Sequence, residues 1–207
     1  MKSRKSLIRA DLHVHTNYSA DATINPKTLI DQLNAHPTIK AIAITDHNTT
    51  EGYHHAKQLA SAYPDILIIP AAEITTTHGD IIILGTAELP PKPWTPQNIT
   101  NHAKQNNAIT IAAHPYRTYG LGDAAKNYQI DAIETLNGTS PTNINKMAEN
   151  LAKTLNLPGV AGSDAHYIDE LWTVYTEIQA PLDINEILKA IKNGKVKTAY
   201  APKSIHF

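Results

Sequence analysis

Two histidines one residue apart, His13 and His15, interrupt the apolar run that Leu7, Ile8, Leu12 and Val14 make. In a strand, residues two apart point to the same face, so two imidazoles are aimed side by side at what ought to be core. By itself the pair is as readily a loop feature as a pair of ligands. Similar residues recur around the other apolar runs: Asp46 and His47 in "AIAITDHNTTEG", Glu73 in "ILIIPAAEITT", and His78 and Asp80 in "THGDIIILG". His114 follows in "AITIAAHPYR", Glu134 and Asn137 in "AIETLNG", and Asp164 and His166 in "VAGSDAH". Singly, each has an ordinary explanation, an aspartate after a strand being usually the N-cap of the next helix. Repeated at one end of most strands, a mixture of imidazole and carboxylate suits a multinuclear zinc, manganese or iron site.

The elements that must position these residues are legible in outline. Apolar, β-branched runs predict strands over 7–14, 41–45, 66–70, 81–84, 108–112, 132–136, around Val160, and over 174–178. Helical periodicity covers 26–35, 53–63, 96–106, 143–155 and 184–193. The last is the clearest: Asp183 with Glu186 forms a capping-box pattern, Ile184, Ile187, Leu188 and Ile191 make the buried stripe, and Gly194 stops it. Alternating strands and helices imply a parallel sheet buried on both faces. Seven or eight such strands suggest a small barrel, with its chemistry at the C-terminal strand ends. Composition does not shift along the chain, so residues 1–207 read as a single domain, with the proline-rich stretch 87–94 a loop inside it.

Composition narrows the rest. The 207 residues are 42% hydrophobic and 18% charged, as in an ordinary globular protein. There is no cysteine, so no disulfide and no thiolate ligand. A net charge of −1 gives no footprint for duplex binding, and the lysines near both ends read as solvated tails. No segment is long and apolar enough to span a membrane, and no signal-peptide pattern opens the chain; a cytoplasmic location is expected. Of the 11 histidines, His36, His54, His55, His102 and His206 fall outside the strand-end pattern. Oligomeric state is not legible.

The ordered set "DLHVHTNYSAD" (11–21), "AITDHN" (43–48), "AAEITT" (71–76), "AAHPYR" (112–117), "IETLNG" (133–138) and "AGSDAH" (161–166) resembles the polymerase and histidinol phosphatase (PHP) family of metal-dependent phosphoesterases. The resemblance implies a distorted seven-stranded (β/α) barrel, similar to a TIM barrel, holding two or three divalent transition metals. Carried over by position, it implies His13, His15, Glu73 and Asp164 at a first metal. It further implies that Glu73 would bridge to a second with His114, and that Asp21, His47 and His166 would hold a third. The departure is Asp80, where family members often have histidine; aspartate can still ligate through oxygen, and His78 is close enough in sequence to compete. Three such cations less four carboxylates and a hydroxide leave roughly +1, which favours an anionic ester.

The activity this implies is hydrolysis of a phosphomonoester, such as a nucleotide or a sugar or amino-alcohol phosphate, by a metal-bound hydroxide. Arg117 is placed to grip a phosphate oxygen. His47 and His166 are candidates to protonate the leaving group, although a ligated histidine is a poor donor. Asp46, Glu134 and Asn137 are candidates to orient ligands. Three rivals stand beside this reading: a nuclease-type phosphodiesterase acting on short oligonucleotides, an amidohydrolase-like C–N hydrolase, and a metal-binding module without turnover. The partner expected is a small phosphorylated substrate, with neither duplex nucleic acid nor membrane.

Overall fold

The computed structural model describes residues 6–202; the expected placement of His206 in a tail lies outside them. In chain order the elements are β1 (Ile8–Val14), α1 (Pro26–Ala35), β2 (Ile39–Ile44), α2 (Glu51–Ala60), β3 (Leu67–Thr75), β4 (Asp80–Leu84) and α3 (Pro96–Gln105). There follow β5 (Ile109–Ala112), β6 (Ala132–Asn137), α4 (Thr142–Leu155), β7 (Gly159–Gly162), β8 (Val174–Ile178), α5 (Ile184–Lys192) and β9 (Val196–Tyr200). Local chemistry explains the helix starts. Asn25 and Thr95 cap α1 and α3 with a proline in the first turn, and Asp183 accepts from the Glu186 N–H at 3.0 Å.

All nine strands join one sheet, in the order β7-β6-β5-β4-β3-β2-β1-β8-β9. Among the described residues the count is nine strands, not the expected seven. The strand missed in the sequence, β9, is a half-exposed edge interrupted by Lys197, in a segment that reads as a basic tail. The sheet is also not wholly parallel. β1, β2 and β3 run together, as do β5, β6 and β7, but β4 is antiparallel to both neighbours and β8 to β1 and β9. β4 follows β3 after a four-residue turn, too short for a crossover helix, so it must reverse.

The sheet curls into a nearly closed barrel. Inside lie Ala10, Leu12, Ala43, Ala71, Ile82, Ile111 and Val160, with α5 supplying Ile187, Leu188 and Ile191 as a plug at the N-terminal strand ends. Outside, α1 and α2 cover Ile42 and Ile44, and α3 and α4 cover Ile83 and Ile133. The seam between β1 and β7 closes only near the top. His15 donates its N–H to Ala165 O at 3.0 Å and Asp164 to His13 O at 2.7 Å. Lower down, the Asp11 carboxylate accepts the Ser163 N–H at 2.8 Å, and the Thr176 hydroxyl accepts from and donates to Ala161. Among the described residues no helix is long and apolar enough to cross a membrane.

Candidate metal centre

A bulge in β1 makes the site. Asp11 is opposite Ile42 and Val14 opposite Ile44, so three steps on β1 match two on β2. Leu12 therefore faces the interior, Val14 packs outside against α1 and α2, and His13 and His15 turn inward above Leu12. The extra residue flips the parity of the strand. Glu73 enters from within β3, which extends to Thr75, rather than after a strand ending at residue 70; Glu134 likewise lies inside β6. Asp80 reaches the same end because β4 runs backwards, so that its first residue sits beside the others' last. His114 and Asp164 come from the turns after β5 and β7, at φ of 26° and 54°, conformations costly for residues with a Cβ.

Four donor atoms converge. His13 Nε2 lies 3.0 Å from His15 Nε2, 3.2 Å from Glu73 Oε2 and 3.2 Å from Asp164 Oδ1. His15 Nε2 is 3.3 Å from each of the same two oxygens. Ligands about 2.0 Å from a tetrahedral cation stand about 3.3 Å apart, the spacing of these pairs; His13, His15 and Asp164 form one group able to hold an ion, and His13, Glu73 and His114 another. Glu73 turns its other oxygen to His114 Nε2 at 2.9 Å. A third group forms where His15, His47 and His166 draw together, with Asp21 Oδ2 3.6 Å from His47 Nε2 and 3.5 Å from His166 Nε2.

The cluster is short of positive charge. Burial pulls the pKa of His13 down, but the carboxylates of Asp164, Glu134 and Glu73 more than reverse it and hold it well above the ordinary value. His15 is pushed up to about 9 against its burial by the Asp164 and Glu73 carboxylates beside it. Burial favours neutral Glu73 and Asp164, yet His13 and its neighbours keep both well below the usual carboxylate range. Asp80, pushed by burial and then by Glu73, rises to about 6. Two imidazole nitrogens facing each other at 3.0 Å cannot both carry a proton without repulsion, and a cation between them removes the conflict. Asp164 Oδ1, Asp80 Oδ1 and His47 Nδ1 are buried without a hydrogen bond, another mark of a site built to hold an ion.

Supporting residues fix these donors. His13 Nδ1 meets Glu134 Oε1 at 2.9 Å, which turns Nε2 to the cluster; Glu134 also accepts the His114 N–H at 2.7 Å. His15 Nδ1 meets Ser19 Oγ at 3.1 Å, and Ser19 donates to Asp46 at 2.8 Å. Asp164 Oδ2 accepts from Arg117, Asn137 and Thr139, leaving Oδ1 to face the two histidines. Asp46, Glu134 and Asn137 thus stand behind the donors. Sequence reasoning missed Ser19, Thr139 and the seam role of Asp11; serines and threonines in loops carry no signal of what they will touch.

A cavity of about 230 Å³ opens over the cluster, lined by Asp21, His47, Glu73, Asp80, His114, Arg117, Asp164 and His166 with Thr118 and Tyr119. All nine expected ligand residues are thereby gathered at one barrel mouth, and Arg117 stands at its rim. His78 is not: it is exposed, bonded to Thr77 and set near the Tyr128 ring. His36, His54, His55 and His102 also lie outside the cavity lining.

Comparison with known proteins agrees with this architecture. A family model described as PHP-associated matches residues 143–196. A curated relative, an uncharacterised protein of Methanocaldococcus jannaschii, is 32% identical over 142 residues, covering 63% of this chain and 82% of its own. Three solved structures share the fold at low identity. PsfC from Pseudomonas syringae has a TM-score of 0.69 at 17% identity over 96% of this chain and 93% of its own. An amidohydrolase from Chromobacterium violaceum, solved with sulfate and no metal, gives 0.67 at 16% over 91% and 97%. A Bifidobacterium adolescentis protein, provisionally described as a metal-dependent phosphoesterase, gives 0.61 at 16% over 76% and 87%.

Proposed function

The chain belongs to the polymerase and histidinol phosphatase family, and from that premise we propose that it is a metal-dependent hydrolase of small phosphate monoesters. The observation that carries the reading is the approach of Glu73 and Asp164 to the facing imidazoles of His13 and His15 beneath a small polar cavity rimmed by Arg117. These residues would hold divalent cations, which when bound would acidify water and offset phosphoryl charge.

The protein's own groups do the remaining work. Glu134 and Ser19 hold the two imidazoles with Nε2 inward. Arg117, now donating to Asp164 at 2.6 Å and Thr139 at 2.7 Å, has a planar fork free to take a phosphoryl oxygen from the same position. His166, whose Nδ1 meets Asp164 O at 2.9 Å, and His47 flank the exposed Asp21 and are the candidates to pass a proton to the leaving oxygen. The cavity suits one phosphoryl group and part of a leaving group, which supports a small phosphorylated substrate over a duplex.

A second reading, C–N hydrolysis, has the amidohydrolase neighbour behind it. The His15, His47 and His166 group, together with Arg117, favours the phosphate ester. The deciding experiment is elemental analysis of purified protein paired with turnover of p-nitrophenyl phosphate, bis(p-nitrophenyl) phosphate and a p-nitroanilide, before and after chelation. Two to three metal equivalents, with monoester turnover lost on chelation and restored by manganese or zinc, is the expected result. Preference for the diester points to a nuclease, anilide cleavage to the C–N reading, and metal without turnover to a binding module.

A further inference from the structure

We infer that Tyr119 is a specificity-determining residue of this mouth, a ring on a fixed turn against which a planar aromatic leaving group lies while Arg117 holds the phosphoryl group. The inference rests on the phosphate-ester reading above and concerns which alcohol the enzyme releases. The cavity, about 230 Å³, takes the phosphoryl group and only part of a leaving group, so the rest of a substrate must extend past the rim. Carboxylates, imidazoles, Arg117 and Thr118 make up the other lining residues, and among them Tyr119 alone carries a phenol ring.

The fold makes no use of that ring. The Tyr119 side chain is 67% exposed and belongs to none of the apolar clusters. Tyr116, in the same loop, instead packs on one of them and bonds Asp123. The backbone beneath Tyr119 is tightly held. Arg117 donates its N–H to His114 O at 2.8 Å, Gly120 to Arg117 O at 2.9 Å, and Gly122 to Pro115 O at 2.6 Å. Tyr119 O accepts the Asp80 N–H at 2.6 Å, which ties the loop to the start of β4. Gly120 lies so close to Pro115 that a Cβ on it would stand 2.3 Å from the Pro115 carbonyl oxygen.

Arg117 and Tyr119 therefore sit two residues apart on one braced turn, which couples the grip on the phosphoryl group to the ring beside it. With the backbone already ordered, a ligand covering Tyr119 has only two side-chain torsions to fix, so little of the contact is lost to entropy. An aliphatic polyol offers the ring no face to meet, whereas an aromatic group gains both apolar burial and the offset or edge-on ring contact that aromatic pairs prefer.

The test is steady-state hydrolysis of benzyl phosphate and glycerol 1-phosphate, both esters of primary alcohols, by metal-loaded wild type, Tyr119→Ala and Tyr119→Phe. Melting curves and elemental analysis establish that each variant is folded and carries its metal. Wild type should prefer benzyl phosphate in kcat/KM. Tyr119→Ala should cut that preference about three- to tenfold, the range expected of one aromatic pair, and Tyr119→Phe should keep it. A wild type without the preference, or equal losses on the two esters in Tyr119→Ala, overturns the inference while the phosphate-ester reading survives. Turnover of neither ester by metal-loaded wild type overturns both.

Discussion

The floor and the mouth of the barrel are built by the same strands from residues one or two apart, yet they obey opposite rules. Leu12 precedes His13, Ala71 precedes Glu73, and Ile82 lies two steps from Asp80. Below, Leu12, Ala71 and Ile82 join the α5 residues in an uninterrupted apolar interior. Above, buried carboxylates and imidazoles crowd together, two of them on left-handed backbone. Apolar burial is therefore concentrated in the lower layers, and the mouth gathers buried charges that a bound ion would balance.

The largest expected effect separates the two most sharply. Asp164→Ala removes one of the four converging donors and the acceptor of three hydrogen bonds, so turnover should fall at least about 10³-fold, roughly 4 kcal/mol of barrier. The melting temperature of chelated protein should fall too, because His13, His15 and Asn137 lose their shared acceptor, so turnover is compared per folded molecule. Wild-type turnover in this variant breaks the site. Leu12→Ala is the converse: it cuts a hole in the floor one residue from a candidate ligand. A cost of about 2–5 kcal/mol in denaturant unfolding is expected, with turnover per folded molecule kept within about twofold. Equal loss of turnover and stability would show that floor and mouth are not separable.

The mouth and the seam just beneath it should also give the chelated protein an inverted pH response. The pKa values of Asp80, Asp11 and His15 are raised, to about 6, about 7 and about 9. Each such group contributes stability present below its ordinary pKa and lost as pH climbs through the raised value. Glu73 and Asp164, held low, keep their contribution until strong acid. Chelated protein should therefore melt progressively lower from about pH 5 to pH 9, the two aspartates acting in the lower part of that range and His15 in the upper. With metal the slope should reverse over the lower part of that range, since ligands must be deprotonated to bind. Melting scans with and without chelator read both slopes, and parallel curves would mean that no ion occupies the mouth.

How much of this was legible in the sequence follows the same division. The floor announces itself through β-branched runs and the α5 stripe, because apolar periodicity is a local signal. The ligand types were legible too, gathered in quoted motifs at strand ends. What was not legible depends on register and direction. No local pattern marks the β1 bulge that lets Leu12 and His13 both face inward, nor the reversal of β4 that delivers Asp80 to the mouth. β9 was missed because an edge strand needs only half its side chains buried, so Lys197 and its neighbours read as tail. Ser19 and Thr139 were invisible because their partners are set by tertiary approach.

The smallest expected effect sharpens the comparison at the rim. Arg117 is 39% exposed along its side chain and bonds Asp164 and Thr139, so it belongs neither to the buried cluster nor to the floor. Its guanidinium can be exchanged from Asp164 to substrate without unpairing a buried charge, because Asn137 and Thr139 still donate to that carboxylate. Arg117→Ala should then raise KM for a phosphate monoester about tenfold, close to 1.4 kcal/mol of lost charge-assisted hydrogen bonding, with metal content unchanged. Arg117→Lys should recover only part of it, since an ammonium lacks the planar fork. A fall in bound metal with KM unchanged would instead make Arg117 a prop for Asp164, and would move the boundary between rim and cluster outward by one residue.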